Sequence, residues 1–170
     1  MCRLCEDAEL GQGGVSITSR PAHRLAGLRW AGTFAEAASG AIHPRIEAVK
    51  RFSQSRTAIW KSPIVGLTSN LGANGFDYFI GVATDVGEIA PPGFDHLQLA
   101  GMNFATTFHR NDSGDVATQY ARLRDWVMAS RYQLADTDFS QREEYPHEVD
   151  LSQSPVLRLM LPVALRDPSE

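Results

Sequence analysis

The residues best placed for chemistry are a carboxylate and a phenol two positions apart, Glu143 and Tyr145, towards the C-terminal end of the chain. In an extended segment side chains alternate, so these two share one face and Glu144 turns to the other, leaving a single acid to meet a ligand. Taken alone, the run Gln141-Arg142-Glu143-Glu144 reads as solvated charge at a strand end, the ordinary fate of carboxylates. Held among aromatic rings, the same group loses hydration. An ionised, unpaired carboxylate there costs several kcal/mol, which an incoming cation relieves. Each Tyr or Trp face adds about 0.5 to 2 kcal/mol of cation–π attraction, and flat apolar ligand surface adds roughly 25 cal/mol per Å² buried. Trp30, Trp60, Tyr78, Phe104, Phe108, Trp126, Tyr132 and Tyr145 could wall such a site, although core packing is the commoner use of any one aromatic. Trp60, beside Lys61 and Ser62 in a polar connection, is the one least explained by core periodicity.

Other chemistries lack a supporting pattern. There is no Ser-His-Asp or Cys-His signature for covalent catalysis. His23, His43, His96, His109 and His147 are scattered, with no H-x-H or H-x-x-x-H pair to hold a metal. Cys2 and Cys5 form a lone C-x-x-C with no second pair at zinc-finger spacing, and read as free thiols in a tail. Gly11-Gln12-Gly13-Gly14 lacks the lysine and flanking strand of a phosphate loop. Neither metal nor cofactor is expected. Sixteen Lys and Arg against twenty Asp and Glu give a net charge of -4, and no basic run could neutralise a row of phosphates, so direct nucleic-acid binding is disfavoured. Without a run of about eighteen apolar residues or a secretory signal, the expectation is a cytoplasmic protein with no membrane contact.

The elements that must position the acid come from a single domain: 170 residues, 43% hydrophobic and 21% charged, suffice for one core. An offset of about 79 residues lays the second half on the first, each half reading strand, helix, strand, strand. The first strand segment spans residues 15 to 30, broken at Arg20-Pro21; its second part, Leu25 to Trp30, falls on Phe104 to His109. The helix is clearest in the second copy, where Val116, Tyr120, Leu123 and Val127 form one buried stripe, with Trp126 off it and Asp112, Ser113 or Asp115 as cap. In the first copy Gly40 and Pro44 interrupt the pattern, so either the helix kinks or the main helix starts at Pro44. A hairpin closes each copy, and Ala90-Pro91-Pro92-Gly93 is the link. The expected fold is α+β: a pseudo-two-fold tandem repeat of strand-helix-strand-strand units, with antiparallel sheets, helices on one side and a central ligand cleft. Residues 1–14 are expected as a tail, 15–165 as the domain (repeats 15–89 and 94–165) and 166–170 as a C-terminal tail.

Several segments together resemble the GyrI-like domain, also found as the effector-binding domain of AraC-type and MerR-type drug-sensing regulators. They are Pro21-Ala22-His23-Arg24-Leu25-Ala26-Gly27-Leu28-Arg29 with Gly32 and Phe34, Phe76-Asp77-Tyr78 with Ile80-Gly81-Val82, and Gly101 with Phe104-Ala105. The most specific are Trp126-Val127-Met128-Ala129-Ser130-Arg131-Tyr132-Gln133-Leu134, Glu143-Glu144-Tyr145 and Leu159-Met160-Leu161-Pro162-Val163. The resemblance implies that Glu143, with Tyr145, is a ligand-facing acid walled by aromatic residues from neighbouring strands. Arg142 and Arg131 depart from the pattern, which commonly has an apolar or aromatic residue and a glycine there; Arg142 could pair with the acid. With about fourteen residues before the first strand, too few for a helix-turn-helix, the chain resembles the stand-alone form.

Three functions follow as expectations. The first is a sensor or sequestering protein for small amphiphilic cations. The second is a hydrolase in which Glu143 acts as general base on a reactive molecule, assisted by Tyr145. The third is an accessory to a transcription regulator or an inhibitor of a nucleic-acid enzyme such as DNA gyrase. A protein partner or homodimer stays open.

Overall fold

Pro21 denies the chain a ladder hydrogen bond, and the backbone duly breaks between β1 (Ser16–Arg20) and β2 (His23–Thr33). In the computed structural model, which describes residues 14–56, 62–154 and 156–169, β2 runs into a short helix, α1 (Phe34–Ala38). Its start is closed by a capping box between Thr33 and Glu36. Gly40, at φ 91°, turns the chain in a conformation that side chains resist. A second helix, α2 (His43–Ser55), then begins with Pro44 in its first turn. Of the two arrangements open from sequence, the chain thus uses separate helices rather than one kinked helix.

The remaining elements are β3 (Ile64–Ser69), β4 (Gly75–Thr84), β5 (Asp95–Leu99), β6 (Met102–His109), α3 (Val116–Ala129), β7 (Tyr132–Leu134), β8 (Gln141–Tyr145) and β9 (Leu157–Leu165). Of the three candidate caps of α3, Asp115 is the one used, accepting from the Thr118 amide. Beyond β9, Arg166, assigned from sequence to the C-terminal tail, is tied to the carbonyls of Met128, Arg131 and Tyr132.

The strands lie antiparallel in the order β1-β6-β9-β8-β3-β4-β2-β5, with β7 also paired to β9. They form one hydrogen-bonded path rather than separate sheets, joined at the centre where β3 meets β8 from Ile64↔Tyr145 to Thr68↔Gln141. Read inward from both ends, the order sets β1 against β5, β6 against β2, β9 against β4 and β8 against β3.

Alternation along the strands sorts the interior into two faces. On one face α2 buries Ile46, Val49 and Phe52 against Ala26, Tyr78 and Ile80. On that same face α3 buries Tyr120, Leu123 and Val127 against Ala105, Leu159 and Leu161. The opposite face carries Leu25, Leu67, Phe79, Phe104, Phe139 and Met160. No helix among the described residues is long and apolar enough to cross a membrane.

The opposite face also holds a buried ionic cluster. Glu144, fully buried, accepts from Arg20 at 2.6 Å, Arg142 at 2.8 Å and Arg158 at 3.2 Å. Burial alone would raise this carboxyl; hydrogen bonds and charge from Arg20 and Arg142 outweigh it and bring the pKa down from 4.5 to about 2. Because the folded value is depressed, the stabilisation is complete above the unfolded value near 4.5 and is lost as pH falls towards 2. The shift corresponds to about 3 kcal/mol. Glu144→Gln is therefore expected to destabilise the fold by at least about that amount at pH 7. Urea denaturation should find the gap from the wild-type protein closing between pH 4.5 and pH 2.

Candidate functional site

β8 occupies the middle of the sheet, and its residues divide by parity. Gln141, Glu143 and Tyr145 face the side covered by helices, where they line a cavity of about 680 Å³. Arg142 and Glu144 face the ionic cluster behind. Arg142, the residue that could have paired with Glu143, instead donates to Glu144. Consecutive strand residues point in opposite directions, which keeps it from Glu143.

Glu143 is held by three phenols. Tyr78, from β4, donates to Oε2 at 2.6 Å and Tyr145 donates to the same oxygen at 2.8 Å. Tyr120, from α3, donates to Oε1 at 3.3 Å. Tyr78 reaches across β3 because Gly66, the register partner of Glu143, has no side chain. A Cβ there would lie 1.9 Å from the Tyr78 hydroxyl oxygen and 2.4 Å from the adjoining ring carbon. Burial, and then the Glu143 charge, push the Tyr78, Tyr120 and Tyr145 hydroxyls well above the usual phenol value. At neutral pH all three are therefore protonated. A carboxylate offers about four acceptor positions; neutral donors occupy three, and no cation among the described residues forms an ion pair with Glu143.

The walls are mainly apolar. Phe34 and Ala37 come from α1, Ile42 and Ile46 from the start of α2, Leu71 from the β3–β4 turn, Phe76 from β4 and Val116 from α3. Phe76 packs edge-on to Tyr78 with ring centroids 5.8 Å apart. The Phe34 amide donates to Asn74, fastening α1 to the hairpin. Phe34 and Leu71 are both more than two-fifths exposed, large apolar side chains left open to solvent beside the cavity. Thr68, His43 and Arg124 add polar groups to the lining. Among the described residues no cluster of His, Cys, Asp or Glu could hold a metal ion.

Of the residues singled out from sequence, Glu143, Tyr145 and Tyr78 meet in this cavity. Phe104 and Phe108 do not line it; their parity on β6 sends them to the opposite face, where Phe104 stacks on Phe139 and Phe108 lies under Arg158. Trp30 is buried in the core against Phe76, one layer behind the wall. Trp126 and Tyr132 pack at the edge of the α3 cluster, away from the opening. Trp60, with Cys2 and Cys5, lies outside the described residues. Tyr120 is buried in the helix stripe, as its spacing predicts, and its hydroxyl also reaches Glu143; the signal for that second role is the hydroxyl, which needs a partner when buried. Arg124 gave no signal at all, since only the rotation of α3 decides whether a charged helix position sees solvent or the cavity.

The GyrI-like small molecule binding domain matches residues 14–164, and the chain belongs to that family. No curated protein matches the sequence. Among solved structures, the EcmrR C-terminal domain superposes with a TM-score of 0.65 at 15% identity, over 91% of this chain and 99% of that one. SAV2435 bound to tetraphenylphosphonium gives 0.61 at 13% identity, over 89% and 94%. A hydrolase from Listeria innocua gives 0.59 at 11%, over 96% and 100%. At these identities the likeness is one of fold.

Gly66→Ala tests the arrangement. The added methyl displaces the Tyr78 hydroxyl, and denaturant titration is expected to show a loss of about 1–3 kcal/mol. Tyr78→Phe in the same background should recover part of it, because the closest clash is with the oxygen.

Proposed function

We propose that this protein binds small amphiphilic cations with an aromatic body in the cavity above β3 and β8, as a sensor or sequestering protein. The observation that carries this reading is the Glu143 carboxylate, aimed into a mostly apolar hollow and, among the described residues, hydrogen-bonded by neutral phenols. Neutral donors satisfy its lone pairs but supply no countercharge. A cation completes the site without needing hydrogen bonds of its own, and the rings of Tyr78, Tyr120 and Tyr145 add attraction for its charge. Walls that ask for few fixed hydrogen bonds favour breadth over selectivity. The fold match to SAV2435, whose structure holds tetraphenylphosphonium, supports the same class of ligand here. In this reading residues 15–165 form two halves related by a pseudo-two-fold at the β3–β8 junction, and the cavity is the seam that their pairing leaves.

A second reading keeps the site and adds turnover: Glu143 takes a proton from water as it attacks a reactive electrophile, with Tyr145 donating to the developing charge. It is favoured by the convergence of the Tyr78 and Tyr145 hydroxyls, 3.4 Å apart, on one carboxylate oxygen. The fold match to the Listeria innocua hydrolase also favours it.

Tetraphenylphosphonium titrated by calorimetry is expected to bind and to raise the melting temperature. Glu143→Gln, which keeps the shape and removes the charge, should weaken binding at least about ten-fold. Unchanged affinity in that variant would remove Glu143 from the site. Incubation with a reactive ester or epoxide, followed by mass spectrometry, separates the two readings: release of the acid and alcohol from the ester, or a diol heavier by one water from the epoxide, supports turnover, and recovery of intact ligand supports binding alone.

A further inference from the structure

The cavity that presents Glu143 also presents a guanidinium. Arg124 lies one helical turn beyond Tyr120 on α3, is half-buried, and lines the same hollow. Its guanidinium carbon sits 5.9 Å from the centroid of the Tyr120 ring, the ring whose hydroxyl donates to Glu143. No acid among the described residues forms an ion pair with it. The two opposite charges therefore line one mostly apolar chamber without forming an ion pair, each in contact with a different part of Tyr120. A plain monocation entering to reach Glu143 is attracted by the carboxylate and repelled by Arg124. A ligand with both signs of charge meets attraction at each end, and in an apolar chamber such terms are screened less than in water.

We propose that the cavity selects amphoteric ligands: an aromatic body carrying a cationic group for Glu143 and, at its other end, a carboxylate or comparable anion for Arg124. The proposal rests on reading the hollow as a cation site and narrows the class of ligand it takes. Arg124 then sets specificity, and its planar fork of donors suits a carboxylate.

Two dyes that differ only in this respect provide the test. Rhodamine 123 is a methyl ester with one positive charge; its free acid, rhodamine 110, is a zwitterion at neutral pH with the same ring system. Fluorescence polarisation at low salt is expected to show the wild-type protein binding the free acid about 5- to 10-fold more tightly than the ester. Arg124→Gln should abolish that preference, weakening the acid and tightening the ester, while Arg124→Lys keeps most of it; melting temperatures establish that both variants are folded. A wild-type protein that binds the two dyes equally or prefers the ester overturns the proposal, as does a ratio unchanged by Arg124→Gln. In either case, ester binding that depends on Glu143 leaves the cation site standing. If neither dye binds, the cation site and the amphoteric preference fail together.

Discussion

Adjacent residues of a β-strand cannot face the same way, and much of this protein's behaviour follows from that constraint acting on Glu143 and Glu144. Both acids sit on β8, in the middle of the sheet, and each looks into a different interior. The sheet keeps them apart, so they are satisfied by different chemistry. Glu144 is surrounded by guanidiniums from β1, β8 and β9; with its charge more than countered, it acts as a structural rivet through the opposite face. Glu143 is surrounded by phenols, and no cation among the described residues forms an ion pair with it.

That difference gives the two acids different surroundings: one is countered by charge, the other by neutral hydroxyls. Arginine partners neutralise a carboxylate and leave little for a ligand to gain. Tyrosine partners orient it, occupy acceptor positions and form part of the wall, yet leave the net charge for something else to balance. Three separate elements must agree for this to happen: β4 supplies Tyr78, α3 supplies Tyr120 and β8 supplies Tyr145. Gly66 on β3 is the empty place that lets the first of these through. The hollow lies over the centre of the helix-covered face, lined by the first turns of α2 and the N-terminal part of α3, with residues of α1 and the β3–β4 hairpin completing the wall.

Much of this was legible in the residues. The break at Pro21, the helix stripe of Val116, Tyr120, Leu123 and Val127, the closing strands and the order of elements all appear as period-2 or period-3.6 patterns, which are local and therefore readable. Two short strands, β5 and β7, were not anticipated: three to five residues with mixed burial carry too little periodicity to announce themselves. The aromatic candidates divided according to strand parity and helix rotation. Tyr78 and Tyr145 reached the cavity, Phe104 and Phe108 turned away, and Tyr120 came in from a helix position that reads as ordinary core.

The amino-acid sequence by itself determined the α+β class, the family, and the placement of Glu143 and Tyr145 on one face with Glu144 on the other, because alternation and order along the chain are properties of neighbouring residues. Only the tertiary structure decided which side of the sheet each aromatic joined, that Arg142 serves Glu144, that Gly66 makes room for Tyr78, and that Arg124 shares a chamber with Glu143. Those outcomes depend on contacts between segments far apart in the chain, set by strand register and helix rotation, and no local pattern of residues encodes them.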